Sequence, residues 1–140
     1  MTTETKPDVV LDTNVLVSAA LSDGPPYEIL SLAEERRLVS VTSQPILAEL
    51  GDVLTRDRLP FTDEQVTDLT AKVGTISRVI DPDISLTVID ADPDDDKILE
   101  TAVAGDVEYI VSGDAHLRDL TTHAGIEIYS PTQFLNEISV

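Results

Sequence analysis

The sequence predicts an α/β domain, a parallel sheet with helices on both faces. Three observations carry that expectation. Val9-Val10-Leu11 and Tyr109-Ile110-Val111 are short, continuous apolar runs, the pattern of strands buried on both sides. Stretches of helical periodicity alternate with them. Capping and breaking residues punctuate the changes from one pattern to the other.

In order, Val9-Val10-Leu11 is the first strand, and Asp12-Thr13-Asn14 supplies cap-type residues before a helix from Val15 to Leu21. Asp23-Gly24-Pro25-Pro26 is a break. Tyr27 to Arg37 is a helix with Ile29, Leu30 and Ala33 inside, and Leu38 to Thr42 is a second strand. Ser43 caps the next helix, with Pro45 in its first turn. Another helix starts after Thr62, with Asp63 and Glu64 near its positive end. Ile80 to Ile89 is ambiguous, with a strand around Leu86 to Ile89 interrupted upstream by Pro82. Asp92-Pro93 opens a helix running to Ala104, which Gly105 stops. Tyr109 to Ser112 is a strand, Asp114 to Leu120 a short helix, Ile126 to Tyr129 the last strand, and Pro131 starts a terminal helix. Sites in such sheets form beyond the carboxyl ends of the strands.

At 140 residues the expectation is one domain, residues 9–140, behind a flexible N-terminal segment, residues 1–8. The absence of cysteine excludes disulfides and Cys-based zinc sites, and two histidines do not make a His-rich metal site. No signal core and no membrane span is present, so a cytoplasmic protein is expected. The formal net charge is −18, from nine Lys and Arg against 27 Asp and Glu. The acids are spread along the chain rather than gathered in a tail. Such a surface repels itself in dilute buffer, whereas at molar salt the Debye length falls to about 3 Å. Adaptation to a high-salt cytoplasm is the expectation. The charge opposes broad electrostatic binding of nucleic acid but not a metal-bridged phosphate.

Four acids stand where such a fold would place apolar, neutral or capping residues. Asp12 ends one apolar run, and Asp114 follows another after Ser112-Gly113. Each position equally suits a helix N-cap. In the helix Pro45 to Arg56, spacings of three and four put Ile46, Glu49, Leu50 and Val53 along one stripe, with Asp52 further round in solvent. Glu49 therefore lies on or at the edge of the buried face. In Asp92-Pro93-Asp94-Asp95-Asp96, stepping back from Ile98 and Leu99 lands on Asp95, with Asp94 and Asp96 on either flank. Pro93 suits the first helical position and makes Asp92 the N-cap; the whole run also complements the helix dipole. Unpaired buried charge is costly, so converging carboxylates suggest a bound divalent cation. Oxygen ligands without Cys or His favour Mg²⁺ or Mn²⁺.

These residues resemble the PIN domain family. Val10-Leu11-Asp12-Thr13-Asn14-Val15-Leu16 resembles its N-terminal motif, Glu49 its helical glutamate, Asp92 through Leu99 its central motif with Asp95 at the acid, and Ile110-Val111-Ser112-Gly113-Asp114 its last acidic motif. Ile128 through Leu135 is similar to the C-terminal end of a subgroup regarded as toxins of toxin–antitoxin systems, related to VapC. The resemblance implies a three-layer α/β/α sandwich around a central parallel sheet. It also implies Mg²⁺- or Mn²⁺-dependent cleavage of single-stranded RNA, a small antitoxin partner and a homodimer. Asp12, Glu49, Asp95 and Asp114 would be the catalytic metal ligands. Asn14 would orient Asp12 or a water, Ser112 stands where the family often has threonine, and Asp92 supports the site or merely caps its helix. Arg118 faces two roles, phosphate contact or a surface ion pair.

Two other classes compete with a metal-dependent ribonuclease. A non-catalytic PIN-like module would bind RNA or protein without need of four carboxylates. A phosphatase or receiver domain would need an aspartyl nucleophile beside a Thr and a Lys. Asp12-Thr13-Asn14 lacks the usual second aspartate, and Lys97 falls on the wrong side of its helix phase.

Overall fold

The structure is a computed structural model that describes residues 6–56, 59–82 and 96–138, without the side chain of His116. Its strands are β1 (Asp8–Leu11), β2 (Val39–Ser43), β3 (Ser77–Ile80), β4 (Tyr109–Val111), β5 (Thr122–His123) and β6 (Ile126–Tyr129). Its helices are α1 (Thr13–Leu21), α2 (Pro25–Glu34), α3 (Gln44–Leu54), α4 (Asp63–Ile76), α5 (Asp96–Ala104), α6 (Ala115–Leu120) and α7 (Pro131–Glu137). The strands form one sheet in the order β3-β2-β1-β4-β6-β5. All neighbours are parallel except the β5–β6 pair at one edge. Helices flank this sheet, giving the expected α/β/α sandwich.

Strand identity follows from burial. Val9, Val10 and Leu11 of β1, and Ile110 and Val111 of β4, are all buried, so both faces of the central strands are covered. From β1 the chain builds outward through β2 to β3, then returns to place β4 on the other side of β1. The order therefore reverses between β1 and β4, where open α/β sheets bind ligands.

Side-chain chemistry sets the helix starts. Thr62 and Gln65 form a reciprocal capping box at α4, and Ser130 and Gln133 repeat it at α7. Ser43 occupies the N-cap position of α3 with Pro45 in the first turn, but its side chain makes no capping hydrogen bond; its hydroxyl meets Thr101 Oγ1 instead. Pro25 and Pro26 do not simply break the chain; they open α2, because proline lacks only an N–H that a first helical turn leaves unbonded. Pro7 and Asp8 are also tied to the sheet, within the stretch expected to be flexible: the Val39 N–H donates to the Pro7 carbonyl at 2.9 Å, and Asp8 pairs with Val39.

Two strands escaped the sequence analysis. β3 follows α4 directly, with no glycine or proline between them to mark the change. The strand expected around Leu86 to Ile89 lies outside the described residues. β5 is two residues long and turns into β6 through Ala124 and Gly125, both at positive φ (52° and 81°). A two-residue hairpin loop needs that conformation, but Ala124 is not one of the residues that announce it.

Gly105 follows the end of α5, as expected, but not in the left-handed conformation that often ends a helix. Asp106 takes the positive φ (52°). A Cβ on Gly105 would lie 2.9 Å from Val41 Cγ1, 3.1 Å from the Thr101 carbonyl oxygen and 3.2 Å from Ile80 Cδ1. Its own carbonyl accepts from Arg78 Nη2 at 2.8 Å. The glycine allows α5 to close on β2 and β3. Gly105→Ala is expected to cost about 1–3 kcal/mol, the range for overpacking a tight contact; urea denaturation measures it.

Candidate active site

Strand register puts Leu11 beside Val111, so the chain leaves the two central strands side by side. The Asp12 N–H continues the ladder, donating to the Val111 carbonyl at 3.0 Å. Asp12 stands at the N-cap of α1, yet its side chain makes no capping hydrogen bond. Its Oδ2 instead accepts from Ser112 Oγ at 2.6 Å, and the pair is buried. The Ser112 hydroxyl in turn accepts from the Asp114 N–H at 2.9 Å. Ser112 thus both fixes the Asp12 carboxylate and shapes the turn that presents Asp114, at the head of α6. The Asp12 side chain is thus held by Ser112, beside the reversal point of the sheet, and not by the helix it begins.

Asp12 is 2% exposed. Burial pushes its pKa from the ordinary 3.8 to about 6, and repulsion from the Asp114 and Glu49 carboxylates adds to the rise. The Ser112 hydroxyl and the nearby Asn14 backbone amide oppose it. The amide favours the charge without completing a cap. The three acids that lie among the described residues therefore share one electrostatic neighbourhood. The side chain of Asn14 is exposed; its backbone is what faces Asp12.

Glu49 sits as its helical phase predicts, at the rim between buried Ile46 and Leu50, while Asp52 is exposed. Its Oε2 accepts from Lys97 Nζ at 2.9 Å. This corrects the placement of Lys97 on the wrong side of α5. Phase locates a Cα, and a four-carbon stem reaches round the helix. Asp96 also departs from expectation. Helical phase puts it on a flank of the buried stripe, yet it is only 6% exposed. α5 packs against β1, β2, β4 and α3, so more than one stripe is covered, and Thr101 is buried with it.

Asp95 and Asp92 lie outside the described residues. Among the described residues, no three acidic or histidine side chains converge closely enough to hold a metal ion by themselves. The donor chemistry nonetheless fits one. Asp12, Asp114 and Glu49 offer only carboxylate oxygens, which suit a hard divalent cation, and their mutual repulsion is what such a charge would relieve.

A model of the PIN domain matches residues 8–116. The chain belongs to the PIN domain family. PIN domains are typically nucleases, and PIN nucleases generally use divalent metals. An uncharacterized protein of Methanocaldococcus jannaschii is 27% identical to the chain, over 92% of this chain and 90% of its own length. Two solved structures share the PIN fold at 18% identity. VapBC2 from Rickettsia felis, bound to a DNA fragment from its promoter, aligns with a TM-score of 0.60 over 86% of this chain and 96% of its own. FitAcB from Neisseria gonorrhoeae aligns with a TM-score of 0.56 over 89% and 98%. No helix among the described residues of this PIN domain is long and apolar enough to cross a membrane.

Ser112 is the polar residue on which this arrangement turns. Ser112→Ala removes the hydrogen bond that most lowers the Asp12 pKa and leaves the Asp114 amide without its acceptor. The Asp12 carboxyl should then titrate at higher pH than in the wild type. The expected result is that the pH at which Mn²⁺ binding is half-maximal moves upward, measured by calorimetry across about pH 5 to 8, a range that brackets a carboxyl already near the pKa of histidine. Ser112→Thr keeps the hydroxyl and is expected to leave the profile in place.

Proposed function

We propose that the chain is a metal-dependent endoribonuclease that cleaves single-stranded RNA, the toxin of a toxin–antitoxin pair. One observation carries the proposal. Asp12 holds a buried carboxylate at the reversal point of the sheet, bonds the Ser112 hydroxyl rather than completing a helix cap, and shares its surroundings with Asp114 and Glu49. A structural cap would have no reason to accept the cost of that burial.

The proposed ligands are Asp12, Glu49, Asp95 and Asp114, with Mg²⁺ or Mn²⁺. When bound, such a cation activates a water and stabilises the leaving 3′ oxygen of a phosphodiester. Asp12 is kept in one orientation by Ser112. Asp114 is presented on a turn fixed by the same hydroxyl, and Glu49 enters from the rim of α3. Arg118 is exposed on α6, close in sequence to Asp114, where it can meet phosphate from outside the cluster. Asn14 and Asp92 are proposed to support the ligands rather than to bind the cation.

The toxin assignment rests on the family and on the structural neighbours, which are toxin–antitoxin complexes. A small antitoxin partner and a homodimer come with it as proposals. Adaptation to high salt is proposed from the charge of −18, and a cytoplasmic location is a separate proposal. The charge also bears on the assay, because nine basic residues offer little general attraction for a phosphate backbone.

The test is cleavage of single-stranded RNA with Mn²⁺ and with chelator, in molar KCl. Cation-dependent cleavage is expected. The second class, a PIN module that binds without cutting, is favoured by the Lys97–Glu49 pair, which occupies one of the four proposed ligands. RNA binding without cleavage, together with no calorimetric signal for Mn²⁺, would select it.

A further inference from the structure

We propose that Lys97 is a positioning residue, a resident counter-cation that holds the Glu49 carboxylate and competes for it with the divalent cation. The proposal rests on the carboxylate cluster described above and adds a determinant of its metal affinity.

The Lys97–Glu49 contact differs from the other ion pairs among the described residues. Its N–O distance is 2.9 Å, and its side chains are 22% and 23% exposed. Arg37–Glu35 and Lys72–Glu34 lie on the surface, with side chains 46–60% exposed. Surface pairs of that kind contribute little, whereas a partly buried pair is less screened by salt.

The backbone carrying Lys97 is fixed independently of the ion pair. Thr101 Oγ1 donates to the Lys97 carbonyl at 2.8 Å. The same hydroxyl meets Ser43 Oγ at 2.8 Å, in a buried contact at the N-cap of α3. Ser43 starts the helix that carries Glu49. One buried hydroxyl pair therefore sets the spacing between the two charged side chains, and the ammonium is built into the frame of the site. It is one of only three lysines in a chain of 27 acids.

The consequence is electrostatic. An ammonium beside Glu49 offsets part of the repulsion between Glu49, Asp12 and Asp114. A divalent cation entering the cluster must share or displace that charge and meets its repulsion. Removing the ammonium leaves the cluster more negative and Glu49 unclaimed. The metal-free protein then loses stability, and Mn²⁺ binds more tightly. A lysine that merely packed between α3 and α5 would give the opposite sign, because loosening the frame would weaken the site.

The experiment is isothermal titration of Mn²⁺ into wild type, Lys97→Met and Lys97→Arg at fixed pH in molar KCl. Thermal melts of the same proteins in chelator accompany it, with Glu49→Gln and the double variant. Lys97→Met, which keeps the stem and removes the charge, is expected to bind Mn²⁺ roughly tenfold more tightly, the scale of losing one nearby unit charge screened almost as in water. Lys97→Arg keeps the charge and is expected to stay near wild type. In chelator, Lys97→Met is expected to melt lower than wild type, and much of that loss should vanish in the Glu49→Gln background. Unchanged or weaker Mn²⁺ binding by Lys97→Met, with wild type binding normally, overturns the role of Lys97 and leaves the metal site standing. Absence of Mn²⁺ binding in every protein overturns both. If Lys97→Met does not fold, Lys97→Gln takes its place, with the same two outcomes.

Discussion

Asp12→Asn is expected to abolish Mn²⁺-stimulated RNA cleavage and, without cation, to make the fold more stable above pH 6. The two effects have one cause. The aspartate is buried at the reversal point of the sheet beside Asp114 and Glu49, and its pKa is raised to about 6. Its folded-state pKa thus exceeds its unfolded value near 3.8. The stability linked to the protonated group is fully present below 3.8 and is lost as pH rises through about 6. By pH 7.5 the ionised carboxylate costs about 3 kcal/mol. Asparagine keeps an oxygen for the Ser112 hydroxyl, cannot ionise, and should recover about 1–3 kcal/mol of that cost. The stability difference between variant and wild type, measured by urea denaturation in chelator, should grow from near zero at pH 4 to its maximum above pH 6.5 (half a unit past a carboxyl of this pKa). Activity should fall below about 1% of wild type, since even partners one step removed from a metal cost about 10–100-fold. A variant that is less stable than wild type at pH 7.5 in chelator, or that cleaves at the wild-type rate, would show that Asp12 is a structural residue.

The second large effect lies outside the acidic cluster. Phe134→Ala is expected to lower the stability of the whole molecule by about 3–5 kcal/mol, against a total that is ordinarily about 5–15 kcal/mol. Phe134 lies in α7, beyond the matched PIN residues 8–116, yet it is fully buried. Its ring meets Tyr109 of β4 edge-on, with centroids 5.8 Å apart and planes at 74°. The capping box of Ser130 and Gln133 fixes the start of the helix, so the ring is delivered at a set angle. α7 packs against α2 and β6. We propose that residues 9–140 form one cooperative unit for this reason. A thermal melt followed by circular dichroism in molar KCl should then show one transition, lowered by about 10 °C or more. An unchanged main transition with loss of a small helical signal would instead make α7 an appendage.

The legible parts of this fold are those in which the local pattern and the final environment agree. β6 has the expected limits, and β1 and β4 lie within a residue or so of theirs. Their apolar runs are buried on both faces, and nothing else competes for those residues. The rim position of Glu49 and the exposure of Asp52 followed from helical phase in the same way, because α3 covers a single stripe. Phase failed for Asp96, where α5 is enclosed by three strands and another helix. It also failed for Lys97, whose stem carries the charge away from the direction its Cα indicates. β3 and β5 went unseen because each enters without a residue that marks the change in backbone.

The sequence by itself determined the fold class, the family and the acids worth suspecting, since these depend on periodicity, strand ends and motif order along the chain. Only the tertiary structure decided what those acids do with their charge. It turned Asp12 away from its helix cap and onto Ser112, a hundred residues later in the chain, and it gave Glu49 a lysine partner from another helix. Both contacts depend on parallel strands and packed helices that bring distant residues together. Burial and proximity are properties of that packing, and they set the pKa of Asp12 and the pairing of Glu49.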